Sequence, residues 1–108
     1  MAYATKKLAF LRLGSSNGDV YDPPASTKGL IHNIIIHNSH AADAQTVILN
    51  YHDGTNEWEL YNLILIGKET VQLTFANEGL MVDAASKLTG SSTDASITVV
   101  HISGSEES

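Results

Sequence analysis

Short segments in which apolar and polar residues alternate run through the whole chain, and turn-forming residues separate them. A period of two is the pattern of a strand with one buried face, whereas an amphipathic helix needs a period of about 3.6. The clearest segment is Glu69–Phe75, in which Val71, Leu73 and Phe75 alternate with threonine and glutamine. No segment shows a sustained helical period with caps. The pattern therefore predicts an all-β fold.

Strands are predicted at Leu8–Leu13, Gly29–Asn38, Thr46–His52, Glu57–Ile66, Glu69–Phe75, Leu80–Ala84 and Ala95–Ile102. A polar loop with two prolines is predicted over residues 14–28, and another loop over residues 86–94. Asp53-Gly54 predicts a hairpin turn. About seven to eight short antiparallel strands are typical of a β-sandwich or a jelly-roll-like barrel, which is the predicted fold class.

The chain length predicts one domain, because 108 residues are enough for a single packed core. We expect a flexible N-terminal arm over residues 1–7, one sandwich domain over 8–103 and a disordered acidic tail over 104–108. No apolar run approaches the roughly 20 residues that span a bilayer. No signal peptide is recognisable, so we expect a protein made in a cytoplasm with no membrane partner.

The charge and the absence of cysteine exclude several classes of function. The net charge is −6, and the six basic residues are mostly isolated rather than arranged in a stripe. This distribution argues against a nucleic-acid partner. With no cysteine, the chain has no disulfide, thiolate metal site or cysteine nucleophile.

The residues that could support catalysis do not form a recognised motif. The histidines are His32, His37, His40, His52 and His101. Glu57 and Glu59 flank Trp58 on one predicted strand, as expected for a solvated strand face. Neither a nucleophile elbow nor a phosphate-binding loop is present. We therefore predict no catalytic residues, no cofactor and no metal, with a small metal-dependent enzyme built on the histidines as one alternative.

Several predicted strands are apolar on both faces. On the strand over residues 57–66, we assign Trp58, Leu60, Ile64 and Ile66 to the face that packs on the core. Other apolar residues then fall on strand faces that point away from the core, and a small monomer has difficulty covering two apolar faces. We therefore predict self-association or docking on a larger assembly. The second apolar set is Ile31, Ile35, Leu63, Leu65, Val100 and Ile102, and the possible interface is Ile31, Ile35, His37, Leu63 and Leu65.

The aromatic residues suggest a second class of function. Tyr51, Trp58 and Tyr61 could form a platform on which a sugar ring stacks, with Asp53 and Asn56 as polar neighbours. Strict alternation places Trp58 and Tyr61 on opposite faces of one strand, which favours Trp58 as a core anchor. A carbohydrate- or receptor-binding module therefore stays as an alternative.

Three segments carry a family resemblance: Asp19–Pro24, Leu30–Asn38 and Thr46–Leu49. Their order and patterning resemble small β-sandwich structural proteins of tailed bacteriophages, over about residues 19–102. The resemblance implies a non-enzymatic virion protein, most of all a head decoration (cement) protein. Such a protein would bind the major capsid protein or another virion protein and form a homo-oligomer, preferentially a trimer. A tail or connector component is the alternative within the same family.

The N-terminal arm and the polar loop are the predicted docking elements, because flexible polar segments can become ordered on contact with a partner. The predicted docking residues are Lys6, Lys7, Asp19, Tyr21, Asp22, Pro23 and Pro24.

Overall fold

The computed structural model describes residues 6–76 and 79–107. Within them lie β1 (Lys6–Arg12), β2 (Gly18–Tyr21), β3 (Lys28–Asn38), β4 (Gln45–His52), β5 (Glu57–Leu65), β6 (Thr70–Thr74), β7 (Leu80–Val82), β8 (Lys87–Ser92) and β9 (Thr98–Glu107). In this part of the chain, no helix is long and apolar enough to cross a membrane.

The strand order is that of one long antiparallel ribbon wound into two sheets. β4 and β5 form the hairpin at the closed end of this ribbon. Along the ribbon from there, β3 pairs with β6 and β7, then β2 pairs with β8, and finally β1 pairs with β9. Winding brings β9 against β3 and β8 against β4. The sheet orders are therefore β1-β9-β3-β6, in which β7 pairs with the first half of β3, and β2-β8-β4-β5. This arrangement is a jelly roll, and it confirms the predicted fold class.

One aliphatic core lies between the sheets and draws on the inner faces of both. Most of its members are β-branched, and such side chains are stiff and pack well on a pleated surface. The core comprises Leu13, Val20, Ile31, Ile34, Ile36, Val47, Leu49, Leu65, Val82, Leu88, Val100 and Ile102. Strands β3 and β9 supply five of these residues because both lie in the interior of their sheet.

Two strands lie where loops were predicted. β2 falls within residues 14–28 and β8 within residues 86–94, and clusters of Gly, Ser, Thr and Asp in both regions are typical of loops. β8 nevertheless pairs on both sides, with β2 and β4. A Cβ on Gly90 would lie 2.7 Å from the carbonyl oxygen of Ile48, so glycine permits the close approach of β8 to β4.

The predicted acidic tail is also a strand. Residues 104–107 continue β9 and pair with β3, and Gly104 also pairs with Lys6 of β1. The hydroxyl of Tyr21 donates to Glu106 Oε2 at 2.7 Å, and Lys6 forms an ion pair with Glu106. The structure thus corrects the prediction of disorder for residues 104–107. Lys6 and Lys7 belong to β1, whereas residues 1–5 of the predicted arm and Ser108 lie outside the described residues.

The apolar residues of β5 face the opposite way from the prediction. Leu63 and Leu65 pack in or against the core, whereas Ile64 and Ile66 are exposed. Leu63 lies opposite Val47, a core residue, and cross-strand partners share a face. Period two alone does not determine which face is buried when both faces are apolar.

Asn38 is fully buried at the end of β3 and connects the two sheets. Its side-chain amide donates to the carbonyl oxygens of Asp43 at 2.9 Å and of Leu65 and Ile66 at 3.0 Å each. Its Oδ1 accepts the backbone N–H of His40 at 2.9 Å. The polar atoms of this side chain are therefore satisfied where β3, the following loop and the end of β5 meet.

A second buried polar cluster joins β4, β8 and β9. Gln45 Oε1 accepts the hydroxyl of Ser92 at 2.9 Å and the backbone N–H of Asp94 at 2.8 Å. Gln45 Nε2 donates to Asp94 Oδ2 at 2.9 Å, and the hydroxyls of Ser92 and Thr98 lie 2.7 Å apart. Among the described residues, every buried side-chain nitrogen and oxygen has a hydrogen-bond partner. Because β9 belongs to one sheet and β4 and β8 to the other, these bonds also hold the sheets together.

Candidate interaction surfaces

The outer surface of the sheet β1-β9-β3-β6 carries exposed apolar side chains. Phe10, His101, Ile35 and Gln72 are successive cross-strand partners, one on each strand, and therefore share this surface. Phe10 is 62% exposed. Its ring packs edge to face against the His101 imidazole, with 5.7 Å between the ring centroids. Ile35 is exposed as well.

We call the part of this surface where all four strands lie side by side face A, and we define it by three cross-strand rows. Beyond these rows, β3 and β9 continue to Lys28 and Glu107, which form an ion pair with each other. The rows are Arg12, Val99, His37 and Thr70; Phe10, His101, Ile35 and Gln72; and Lys7, Ser103, Asn33 and Thr74. They include two basic side chains, Lys7 and Arg12, and no Asp or Glu. Face A is thus positive, although the chain carries 12 acidic and only 6 basic residues.

Hydrogen bonds between neighbouring strands hold the polar side chains of face A in place. His37 Nδ1 lies 2.7 Å from the hydroxyl of Thr70. Asn33 Oδ1 accepts from Gln72 Nε2 at 3.0 Å and from the Thr74 hydroxyl at 3.1 Å. A surface ordered in this way loses less side-chain entropy when a partner docks on it.

The outer surface of the other sheet is face B, and it has the opposite charge. Its rows are Thr46 and Ile64; Ser91, Ile48 and Asn62; Asp19, Thr89, Asn50 and Glu59; and Lys87, His52 and Glu57. These rows hold three carboxylates and one lysine. Ile64 is 69% exposed, and Ile66, just beyond the end of β5, is 66% exposed.

Hydrogen bonds and an ion pair favour the charged forms of Glu57 and Lys87 on face B. The hydroxyl of Thr89 donates to Glu57 Oε2 at 2.6 Å, and Asn17 Nδ2 donates to both carboxylate oxygens at 3.1 and 3.0 Å. These bonds, that of Thr89 above all, lower the pKa of Glu57. Lys87 Nζ lies 2.9 Å from Asp19 Oδ1, and this contact raises the pKa of Lys87. Both groups are therefore charged at neutral pH.

A β-bulge in β5 places two aromatic side chains on one face. Leu49 lies opposite Tyr61 and Tyr51 opposite Trp58, with Leu60 among the residues of the register shift. Leu49 and Tyr51 are two residues apart on β4 and share a face, so their partners Trp58 and Tyr61 share that face as well. The expectation that these two point to opposite faces is wrong, because one extra residue reverses the alternation.

Trp58 is not the core anchor that strict alternation favoured, since it is 57% exposed. It lies on β5, an edge strand, and its indole Nε1 donates to Asp53 Oδ2 at 3.2 Å. Asp53 Oδ1 accepts the backbone N–H groups of Thr55 and Asn56 at 2.9 and 2.7 Å, and these bonds lower the pKa of Asp53. The predicted hairpin turn is confirmed, with Gly54 at a φ of 96°.

The polar-loop residues predicted for docking are largely occupied within the chain. Tyr21 and Pro23 are buried. Burial and the bond to Glu106 raise the pKa of Tyr21, while the contact with Lys6 lowers the pKa of Glu106. The structure therefore corrects the assignment of Tyr21 and Pro23 to docking, since a partner could not reach them. Asp22 and Pro24 are exposed, Lys7 lies on face A and Asp19 on face B.

The five residues predicted as an interface divide between core and surface. Ile31 and Leu65 are buried in the core, and Leu63 packs against it, so these three assignments are corrected. Ile35 and His37 lie on face A. The error follows from the reversed faces of β5 and from a register shift near His32 in β3, which changes the alternation there.

Four of the histidines are divided between the two outer surfaces and a loop. His37 and His101 lie on face A and His52 on face B, whereas His40 accepts backbone N–H groups in the loop after β3 through its Nδ1. Within residues 6–76 and 79–107, no three His, Asp or Glu side chains form a group that could hold a metal ion. The spacing of His37 and His40 does not therefore correspond to a shared site.

Sequence reasoning missed Phe10, Arg12 and His101 as surface residues. Their proximity depends on the pairing of β1 with β9, at opposite ends of the described chain. Phe10 lies between Ala9 and Leu11, which both pack against the core, and this alternation was the available signal.

Similarity to known proteins was found at the level of structure. No protein-family model matches the sequence, and no curated protein sequence matches it. A pentameric capsid protein isolated from metagenomic phage sequences is 17% identical, with 94% of this chain and 61% of that chain covered and a TM-score of 0.46. A chain of infectious bursal disease virus, Gx strain, is 9% identical, with 96% of this chain and 32% of that chain covered and a TM-score of 0.49.

A chain from naturally occurring empty particles of cowpea mosaic virus is 13% identical, with 94% of this chain and 83% of that chain covered and a TM-score of 0.48. The chain thus spans about three fifths of the length of the pentameric capsid protein. At these identities and TM-scores the likeness does not assign the fold, which rests on the strand order described above.

Proposed function

We propose that this chain is a non-enzymatic structural protein of a virion, which docks on a capsid shell and on its own copies. The observation that carries the proposal is a jelly roll with exposed apolar side chains on both outer surfaces, Phe10 on one and Ile64 on the other. Viral capsid domains are among the proteins built on jelly rolls. Exposed apolar patches rimmed by polar residues are typical of protein–protein contact sites.

The proposed mechanism is stabilisation by mass action. A protein that binds only the assembled shell stabilises it in proportion to its occupancy, and no chemical step is needed. The rigid jelly roll suits this role because both surfaces lie on paired strands rather than on loops. The decoration role and a preference for trimers follow from the family resemblance and are part of the proposal.

The test is the mass of the purified chain by light scattering over a wide concentration range, with electron microscopy of the same samples. A closed oligomer, with three copies as the expected number, supports a decoration protein. Large regular particles support a shell-building role instead and contradict the decoration role. A strict monomer at every concentration contradicts self-association, and with it the proposal in this form.

A second candidate function is favoured by the exposure of Trp58. The bulge places Tyr51, Trp58 and Tyr61 on one face, and the indole orientation is fixed by Asp53. An exposed tryptophan face is suited to stacking on a sugar ring. Titration of a glycan panel should quench Trp58 fluorescence if this function is correct, and Trp58→Ala should abolish binding. Fluorescence unchanged across the panel contradicts this candidate.

A further inference from the structure

We propose that copies of the chain associate head to tail, with face A of one copy against face B of the next. This contact deepens the proposed function and rests on one part of it, the association of the chain with its own copies. It involves these two surfaces and excludes contacts of either face with itself.

Charge complementarity is the first observation that supports this contact. Face A has Lys7 and Arg12 and no carboxylate, whereas face B has Asp19, Glu57 and Glu59 against Lys87. Contact of face A with face A would bring cations together, and contact of face B with face B would bring carboxylates together. Like charges across an interface cost free energy, so only the mixed pairing is favourable for both surfaces.

Apolar exposure is the second observation. Phe10 and Ile35 lie in the middle row of face A, and Ile64, on the edge strand β5, is the most exposed large apolar residue of face B. One mixed contact therefore covers exposed apolar area on both surfaces while it pairs their opposite charges. On face A the row with Phe10 and Ile35 lies between two polar rows, and apolar area flanked by polar groups is typical of a specific interface.

The symmetry of the assembly follows from the pairing. Each copy uses face A toward one neighbour and face B toward another, so the contact is heterologous. Heterologous contacts close into a ring when the rotation between copies permits it, and otherwise extend into a filament. A closed trimer or a larger ring is therefore compatible with this contact, whereas a two-fold symmetric dimer is not.

Complementation between two variants tests the inference. The face A variant carries Phe10→Ser with Arg12→Glu, and the face B variant carries Ile64→Ser with Glu59→Lys. A control carries Ala25→Ser with Thr55→Glu, at exposed positions outside both faces. Circular dichroism and thermal unfolding establish that each variant is folded before masses are measured by light scattering.

We expect the control to assemble like the wild type and each face variant alone to be a monomer. Removing an exposed apolar side chain and reversing a charge should weaken association by about thirtyfold or more. An equimolar mixture of the two variants should form a complex of two chains and nothing larger, because only one intact A–B contact is possible between them. Association of the wild type should also weaken as salt concentration rises.

Each other outcome overturns the inference in a recognisable way. If the face A variant alone dimerises, contact is made between B faces, and if the face B variant alone dimerises, contact is made between A faces. If both variants assemble like the wild type, neither face is part of the contact. If salt strengthens association, attraction between opposite charges is not the basis of the contact. All four results are compatible with the proposed function, whereas a monomeric wild type contradicts both the proposed function and the contact between face A and face B.

Discussion

Asn38 is buried where β3 ends, and its amide satisfies backbone carbonyls from a loop and from the end of β5. Asn38→Ala leaves these carbonyls without their donor inside the protein. We expect a loss of about 2–4 kcal/mol in the free energy of unfolding, measured by chemical denaturation. Asn62→Ala, on the exposed surface of β5, is the matched control and should change stability by less than about 0.5 kcal/mol. Equal effects of the two changes would contradict the role of Asn38.

Tyr21 gives the protein a predictable response to alkaline pH. Its pKa is raised in the folded state by burial and by the bond to Glu106, so the unfolded chain loses the proton first, near pH 10. Folding stability should therefore fall as pH rises above about 10, with a slope of up to about 1.4 kcal/mol per pH unit from this group.

Tyr21→Phe removes both the proton and the hydrogen bond. The variant should be less stable at neutral pH by about 1 kcal/mol but should lose stability less steeply above pH 10. Denaturation of both proteins at a series of pH values measures the difference. Identical slopes for wild type and variant would show that the hydroxyl does not titrate later in the folded state.

At the scale of single residues, the sequence indicated where polar groups lie but not which of them are buried. Asn38 was recognised as the end of a strand, and Tyr21 as part of a polar loop. Their burial depends on contacts with Leu65 and Glu106, which are far away in the sequence. Local pattern carries no information about such partners, which explains why Tyr21 was assigned to docking.

Strand β8 depends on the absence of a side chain at Gly90. A Cβ there would lie 2.7 Å from a β4 carbonyl oxygen and 3.0 Å from Leu49 Cδ2, so Gly90→Ala should push β8 away from β4. We expect a loss of about 1–3 kcal/mol by thermal or chemical denaturation. Gly18, its cross-strand partner on β2, is the matched control, because a Cβ there would meet nothing closer than 4.0 Å.

Gly18→Ala should leave stability within about 1 kcal/mol of the wild type, with any change favourable because the unfolded chain becomes less flexible. If both alanine variants are equally stable, close packing of β8 against β4 is not the reason for glycine at position 90.

At the scale of strands, period-two patterning predicted the position of β3 and both the positions and the faces of β4 and β6, since the core covers the apolar face of β4 and β6. It failed for β2 and β8, whose composition is that of loops, and for the faces of β5. The bulge near Leu60 shows why: one additional residue exchanges inner and outer faces, and nothing in the local sequence marks its position.

At the scale of the whole molecule, the jelly roll joins segments that are distant along the chain. β1 pairs with β9 and β2 with β8, so much of each sheet depends on closing long loops. We expect folding on the order of milliseconds to seconds, as in other β proteins with mostly non-local pairing. Stopped-flow refolding followed by Trp58 fluorescence measures the rate. Complete folding within microseconds would contradict this dependence on topology.

The fold class was predictable because many short strands without helical periodicity have few architectures available to them. The strand order was not predictable, since the pairing of β9 with both β1 and β3 has no signature in either segment. Faces A and B escaped prediction for the same reason. Each face combines residues from four strands, and its charge becomes evident only when the strands are placed side by side.

The position of β9 between β1 and β3 also has a consequence for biosynthesis. The ribosome produces β1 and β3 early, and both must wait for β9 before their shared sheet can form. Synthesis proceeds at roughly 5–20 residues per second, so the nascent chain carries unpaired apolar strand edges for several seconds. This interval is when the polypeptide is most exposed to aggregation, and when a chaperone that shields strand edges would have the largest effect on yield.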